Sequence, residues 1–408
     1  MIYLYRDFFD PPTLRQQQYV ADLSRFGTVY VVPADEDGEF ANAARSNGPL
    51  RLSEPIHRAG MADLAFRSIE NVIVELCELD KMDSAETRIL REQVPIDPSQ
   101  IVPAPNPPVT TLSDTPATSV LSYVGRHVLY VDQPASRSWT GPIDTPPRLF
   151  VVHSEFNESA KRLAERFDAF RVDKNPSAIL VIGGDGTMLH AVQRYWRCRV
   201  PFLGINAGHL GFLLNSHEEF ARHAFPPPQI VTRHLPMLHV DMRTVDEQGN
   251  EKSWVHEVTF SDAWIERAGG QSAWLQVSVD GRVRLPRLVG DGILVSTAAG
   301  STAYARAMGA PPLLADTPAW LLVGNCVAQP PNWKSALLSM ASSVEVRSVD
   351  PLKIRRPLRG FAYGRELGRV DLFRARVSRV ASVELAFYPK HDLTEKINDH
   401  MWGQIATF

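Results

Sequence analysis

The middle of the chain alternates short apolar runs with segments whose apolar residues recur at helical spacing. The apolar runs occupy residues 148–152, 178–182 and 201–205, and helical patterns follow the first two at about 157–170 and 188–196. Such an alternation is typical of buried parallel strands joined by crossover helices. The pattern therefore predicts an α/β domain over residues 148–235.

The two flanks of this region have different patterns. After residue 235, strand-like alternation appears at 238–242 and 275–279, and the second run reaches a turn signal at Asp280-Gly281. This indicates an antiparallel, β-rich domain. Upstream, residues 28–33 predict a buried strand and residues 61–79 have helical spacing, so we interpret residues 1–102 as an accessory α/β unit. Residues 103–147, which begin with a stretch rich in Pro, Ser and Thr, are interpreted as a linker region.

The bulk composition narrows the class of protein. A length of 408 residues favours two or three domains, and 44% hydrophobic with 22% charged residues is typical of a globular protein. The net charge of −3 gives no reason to expect a nucleic acid or an anionic membrane as partner. The three cysteines form no Cys-x-x-Cys pair and no Cys/His cluster has zinc spacing, so neither disulfides nor metal-ligating residues are predicted. The first residues lack signal-peptide features, which favours a cytoplasmic location.

The turn after the apolar run at 178–182 reads Gly183-Gly184-Asp185-Gly186-Thr187. A strand that ends in glycines and opens a helix brings backbone N–H groups and the positive end of the helix dipole to one spot, where phosphate binds. Asp185 is unexpected there, because a carboxylate repels phosphate unless it faces a magnesium ion or the hydroxyl that attacks the phosphate. The alternative is that Asp185 or Thr187 only caps the helix.

Two further segments follow in a fixed order. Residues 204–213 read GINAGHLGFL and residues 290–304 read GDGILVSTAAGSTAY. Together with the Gly-Gly-Asp-Gly-Thr turn, which also occurs in diacylglycerol, sphingosine and phosphofructo kinases, they resemble the three motifs of the NAD kinase family. The resemblance extends over about residues 148–397. It implies an NAD-kinase-like α/β nucleotide domain at 148–235, a β-sandwich-like domain at 236–388, and a C-terminal segment, 389–408, that returns to the α/β domain.

The same resemblance implies a kinase that acts on small-molecule nucleotides as a homo-oligomer, with Mg²⁺ and ATP as phosphoryl donor and the 2′-hydroxyl of NAD as leading acceptor. Asp185 would activate or orient the receiving hydroxyl. The expected phosphate-binding positions are Gly183, Gly184, Gly186, Thr187, Gly300 and Ser301. The expected substrate contacts are Asn206, Phe212, His256, Glu257, Asp291, Thr302, Ala303 and Tyr304. For Ser301 the alternative is a helix cap.

Three departures from the family pattern leave the acceptor open. His256-Glu257 stands where the family has Asn-Glu, the usual Thr-Pro-Thr-Gly is Thr297-Ala298-Ala299-Gly300, and a Ser-rich segment is replaced at residues 305–311. Losing polar groups from a site that hydrogen-bonds its substrate costs discrimination. Two alternatives to NAD phosphorylation therefore remain: a kinase that acts on a different nucleoside, nucleotide or nucleoside-like metabolite, and a catalytically poor nucleotide sensor.

Overall fold

A computed structural model of the chain forms two compact units. The first contains Met1–Trp139, Arg197–Arg199 and Arg379–Ala381, and the second contains Thr140–Trp196, Val200–Ser378 and Ser382–Phe408. The structure describes residues 2–7, 9–35, 54–77, 79–80, 101–103, 117–120, 123, 138–141, 146–208, 211–222, 225–333, 335–350, 355–389, 391 and 396–397. Most of the predicted linker at 103–147 and of the C-terminal segment at 389–408 lies outside these residues.

The described part of the first unit contains a parallel four-stranded sheet and two helices with defined bounds, so both element types that we expected for residues 1–102 occur there. Its strands follow the order β3-β2-β1-β4. The elements are β1 (Ile2–Asp7), α1 (Leu14–Leu23), β2 (Thr28–Pro33), α2 (Pro55–Phe66), β3 (Val72–Val74) and β4 (Ile101–Pro103).

The helical pattern predicted for residues 61–79 is only partly correct. Helix α2 ends at Phe66, and the chain then turns through Asn71, which has a positive φ of 58°. The β-branched run Val72–Val74 follows as a strand beside β2, since such residues pack well on a pleated surface.

The parallel part of the second unit matches the predicted alternation. Its elements are β6 (Leu149–His153), α3 (Glu158–Glu165), β7 (Ala178–Gly183), α4 (Asp185–Tyr195), β8 (Phe202–Asn206) and α5 (His217–Arg222), preceded by β5 (Ser138–Gly141). Strands β6, β7 and β8 are parallel neighbours. Every residue of β7 is buried, as a strand covered on both faces requires. The first helix is shorter than expected and is followed by a 3₁₀ turn at Asp168–Phe170.

The remainder of the second unit is the predicted β-rich region. Its elements are β9 (Ile230–Val245), β10 (Glu251–Thr259), β11 (Asp262–Arg267), β12 (Ala273–Val279), β13 (Arg282–Gly290), β14 (Gly292–Ser296), α6 (Tyr304–Ala307), β15 (Ala319–Asn325), β16 (Ala336–Ser339), β17 (Ser343–Ser348), β18 (Leu358–Ala362) and β19 (Arg365–Phe387). The turn between β12 and β13 has positive φ angles at Asp280 (52°) and Gly281 (72°), so the hairpin prediction is confirmed.

One sheet of 15 strands contains both the parallel and the antiparallel regions of this unit. The long strand β19 pairs in parallel with β8 and antiparallel with β9. Strand β9 crosses the boundary predicted at residues 235 and 236, where the sequence pattern changes although the strand continues. The α/β plus β-rich fold class is therefore confirmed, with both regions sharing one hydrogen-bonded sheet. Among the described residues, no helix is both long and apolar enough to cross a bilayer.

Candidate active site

The Gly-Gly-Asp-Gly-Thr turn connects β7 to α4. Gly183 ends the strand, Gly184 is the N-cap, and Asp185 is the first helical residue. A Cβ atom at Gly183 would collide with the side chain of Thr187, whereas Cβ atoms at Gly184 and Gly186 would meet no atom within 4 Å. Gly183 thus permits local packing, and the other two glycines leave open space in front of the helix.

The Asp185 carboxylate is held by the loop that follows β8. Its Oδ2 accepts a hydrogen bond from the Phe212 amide at 3.0 Å, and its Oδ1 accepts one from the Leu213 amide at 2.9 Å. Burial raises the pKa of Asp185 above the ordinary aspartate value, although these amides and the nearby charge of Lys396 act in the opposite direction. The capping alternative for Asp185 is wrong, because Gly184 is the N-cap and no side chain caps this helix.

This loop is also held by hydrogen bonds from two residues that the sequence analysis did not identify. The Lys396 ammonium donates to the carbonyl oxygens of Gly211 at 2.8 Å and Leu214 at 2.7 Å. The buried Asn215 amide donates to the Gly204 carbonyl at 2.8 Å and accepts from the Tyr388 amide at 2.8 Å. Neither residue belongs to a recognisable local pattern, so only the folded chain identifies them.

Asn206 lies at the end of β8, beside the same loop. Its Oδ1 accepts a hydrogen bond from the Gly208 amide at 3.0 Å, and a Cβ atom at Gly211 would approach its side chain to 2.9 Å. Asn206, Phe212 and Asp185 are therefore brought together at the carboxyl ends of β7 and β8, which is where ligands bind in parallel sheets. Phe156, which follows the neighbouring strand β6, has a fully exposed side chain (100%).

The third motif forms a second group, around Tyr304. Tyr304 is 36% exposed, and its ring packs edge-on against Trp264, with 5.0 Å between ring centroids. Trp264 in turn stacks on Phe361 at 4.8 Å. Burial raises the pKa of Tyr304, and the negative charges of Glu266, Asp262 and Asp291 contribute to the same shift. Asp291 lies beside the strand that contains Trp264, because its backbone carbonyl accepts a hydrogen bond from the Arg267 amide of β11 at 2.8 Å.

The other members of this group differ in accessibility. Thr302 is partly exposed, and the exposed Ala303 is the N-cap of α6. Asp291 forms an ion pair with Arg267, whose Nε lies 2.6 Å from its Oδ1. Burial raises the pKa of Asp262 to about 6.

Gly300 and Ser301 have structural roles in this turn. A Cβ atom at Gly300 would collide with the Ser261 carbonyl oxygen. The Ser301 side chain is completely buried (0% exposed); its hydroxyl donates to the Ala298 carbonyl at 2.6 Å and accepts from the Leu313 amide at 2.8 Å. The capping alternative for Ser301 is wrong, since Ala303 holds that position. Ser301 is not part of the phosphate site that we propose below.

His256 and Glu257 point to partners within the β-rich region. His256 Nδ1 lies 2.6 Å from Asp241 Oδ1, and the Glu257 carboxylate accepts a hydrogen bond from Arg365. Among the described residues, no hydrogen bond, ion pair or ring contact joins either of them to Asp185 or Tyr304. The substrate contacts expected at these two positions stay predictions.

The Thr-Ala-Ala-Gly segment lies beside a small cavity. Ala298 and Ala299 line this space together with Met237 and Trp320, and its volume of about 20 Å³ is enough for one water molecule. A cavity of this size does not accommodate a nucleotide. The two alanines therefore contribute packing surface here.

The fold and the turn around Asp185 define an α/β protein with a carboxylate at the first position of a helix that follows a buried parallel strand. A family model described as the ATP-NAD kinase N-terminal domain matches residues 145–226. The NAD kinase of Rhizorhabdus wittichii is 34% identical over 260 residues, which are 62% of this chain and 97% of that protein. An NAD kinase of Cereibacter sphaeroides is 32% identical over 259 residues, with the same 62% and 97% coverage.

Among solved structures, a yeast NADH kinase in complex with NADH aligns with a TM-score of 0.47 and 13% identity, over 100% of this chain and 88% of that chain. The identity to the curated relatives, over nearly their whole length, is sufficient to assign the family. This chain belongs to the NAD kinase family.

Proposed function

We propose that this protein is a kinase that transfers the terminal phosphoryl group of ATP to the 2′-hydroxyl of NAD. The observation that carries the proposal is the turn before α4, where two glycines leave open space next to Asp185, whose carboxylate is fixed by two amides of the loop after β8. Membership of the NAD kinase family supports the choice of NAD as acceptor.

The phosphates of ATP would bind in front of α4. The first amides of any α-helix have no acceptor within the helix, and the helix dipole favours negative charge at this end. Because nothing lies within 4 Å of a Cβ position at Gly184 or Gly186, phosphate oxygens can approach the backbone closely.

Asp185 would receive the proton of the attacking hydroxyl. The 2′-oxygen forms a bond to the γ-phosphorus while the bond to the bridging oxygen breaks, ADP leaves, and the proton passes to the carboxylate. In a loose transition state this transfer occurs late, when the hydroxyl has already become acidic. Two amide hydrogen bonds fix the orientation of the carboxylate, and its raised pKa makes it a better base than an exposed aspartate.

Magnesium would enter this site with ATP. Mg²⁺ prefers oxygen ligands and is held mainly by substrate phosphates with one or two protein carboxylates. Asp185 could be such a ligand, because each of its carboxylate oxygens keeps a free lone pair after accepting one amide hydrogen bond. Its chemical contribution is to neutralise phosphate charge.

The acceptor would lie against the aromatic group of Tyr304, Trp264 and Phe361. Tyr304 presents an accessible ring on a rigid stacked support, which suits a flat nucleobase or nicotinamide ring. Asn206 offers a donor and an acceptor for a ribose or base edge. We include a homo-oligomeric state and a cytoplasmic location in the proposal, on the strength of the family resemblance.

The test is a product analysis with Mg²⁺, ATP and separate acceptors: NAD, NADH, adenosine and other nucleosides. We expect NAD to be consumed, with phosphate at its ribose 2′-position by NMR. A preparation of Asp185→Asn, purified in the same way, controls for contaminating kinases. Product only on another acceptor would replace NAD by that compound, and the lack of any product would favour the nucleotide-sensor alternative.

A further inference from the structure

Three potential metal ligands converge on two paired strands of the β-rich region. His239 and Asp241 are two residues apart on β9 and so share one face, and His256 on β10 lies directly opposite Asp241 in the register. Asp241 Oδ1 is 2.7 Å from His239 Nε2 and 2.6 Å from His256 Nδ1. One ligand atom from each residue lies within 4.8 Å of the others.

We propose that His239, Asp241 and His256 form a binding site for one divalent transition-metal ion, with zinc as the representative ion. Two imidazole nitrogens and one carboxylate oxygen are ligands for zinc, cobalt, nickel or ferrous iron, whereas magnesium and calcium prefer oxygen alone. Sequence spacing did not reveal this set, because the cross-strand register brings the third ligand to the other two.

The present distances allow an ion to enter with small side-chain movements. Ligand atoms about 2.0–2.1 Å from a tetrahedral ion are about 3.3 Å apart, compared with 2.6 and 2.7 Å here. The two pairs that include Asp241 would open by about 0.6–0.7 Å, and the two imidazole nitrogens, which lie within 4.8 Å of each other, would adopt the same spacing of about 3.3 Å.

Accessibility differs among the three ligands in a way that suits binding. His239 is nearly inaccessible (2% exposed), so one ligand is fixed by packing, while Asp241 and His256 are only partly buried. The exposed side provides an entry path and leaves a coordination position for water.

The charged side chains around the cluster limit its affinity for a metal cation. On β19, Arg374 and Arg376 lie opposite Asp241 and His239. Arg374 donates a hydrogen bond to Glu345 at 2.8 Å, and its guanidinium lies 5.1 Å from the centre of the Trp254 ring. Arg376 donates a hydrogen bond to the Val377 carbonyl at 3.3 Å. Both arginines oppose a cation, and Glu345 compensates one of them. The imidazole ligands therefore have to supply most of the affinity.

Hydrogen bonding alone is the competing explanation of the same contacts. Although burial disfavours ionisation of Asp241, the hydrogen bonds from His239 and His256 hold its pKa well below the ordinary value. If hydrogen bonding were their only role, these three side chains would not bind a metal ion.

The test is a zinc titration of the full chain, freed of any affinity tag and stripped with a chelator, against a chromogenic zinc indicator in the absence of nucleotides. We expect one equivalent of zinc per chain, and a cobalt-loaded sample with the absorption bands of a tetrahedral or five-coordinate site. The variants are His256→Asn and Asp241→Asn. The control is His217→Asn, an exposed histidine at the start of α5.

We expect each ligand variant to lower zinc affinity at least about tenfold, since loss of even a supporting residue around a metal lowers its affinity about 10–100-fold. The control variant should have the zinc affinity of the wild type. Circular dichroism verifies folding, and His256→Gln replaces any variant that fails to fold. Less than one equivalent bound by the wild type, or equal affinity in a folded His256 variant, would overturn the proposal. Kinase activity plays no part in this measurement, so the two proposals can fail separately.

Discussion

Replacing Asp185 with asparagine separates its chemical role from its structural one. An asparagine side chain has a single oxygen, so it can accept from the Phe212 or the Leu213 amide but presents an NH₂ group to the other. Loss of one hydrogen bond to a charged group costs about 1.5–3 kcal/mol. The same substitution removes a buried carboxylate whose pKa is raised by burial, which offsets part of that cost.

The expected stability change is therefore small compared with the expected change in rate. We expect the free energy of unfolding to fall by about 2 kcal/mol or less, which for a unit of this size lowers Tm by less than about 8 °C. Removing a general base lowers kcat by about 10²–10⁴-fold, equivalent to about 3–5 kcal/mol of activation free energy. KM for ATP and NAD should change little.

The assay is NADP formation, read through an NADP-specific dehydrogenase, with calorimetry on the same samples. Asp168→Asn is the control, because Asp168 is a mostly exposed acid whose partner is the nearby Arg171. It should change neither kcat nor Tm measurably. The reasoning is refuted if Asp185→Asn keeps kcat within about fivefold of wild type, since a proton acceptor contributes at least about 10²-fold.

Two further predictions concern neighbouring features. In Gly184→Ala the new Cβ meets no protein atom, so we expect unchanged stability but an ATP KM about tenfold higher or more, because the methyl group blocks the approach of phosphate. Gly183→Ala is the contrasting variant: its Cβ collides with Thr187, so the free energy of unfolding should fall by about 1–3 kcal/mol. Similar ATP KM values in wild type and Gly184→Ala would contradict the phosphate site. Because the folded pKa of Asp262 is raised to about 6, the native state binds the extra proton between about pH 4 and 6, so stability falls as pH rises through this window. Asp262→Asn should stabilise the protein at pH 7.5 by at most about 3 kcal/mol and make Tm less dependent on pH. If Tm of the variant depends on pH in the same way as Tm of the wild type, this titration of Asp262 is ruled out.

The strands and the first motif were predictable because they depend on short-range properties. The apolar run before Gly183 becomes a fully buried parallel strand, and the glycines that follow permit a tight connection to α4. The hairpin at Asp280-Gly281 likewise follows from two residues that tolerate positive φ. The helical pattern beyond Phe66 failed, because periodicity in a short apolar stretch does not distinguish a strand from a helix.

The immediate surroundings of the functional side chains were not predictable in the same way. Ser301 occupies a motif position that suggested a cap or a phosphate contact, yet tertiary packing encloses its hydroxyl against Leu313. His256 suggested a substrate contact, and the register of β9 and β10 directs it to Asp241. In both cases the partner lies in another segment of the chain.

The amino-acid sequence by itself determined the order of strands and helices in the α/β region, the turn that presents Asp185, and membership of a kinase family, because these depend on neighbouring residues and local backbone geometry. Tertiary structure alone decided which groups surround that carboxylate, how Lys396 fastens the adjacent loop, and that two histidines share one aspartate oxygen. The physical reason is that burial, charge and hydrogen bonding at a site arise from residues far apart along the chain, whose separation in space is set by sheet pairing and core packing.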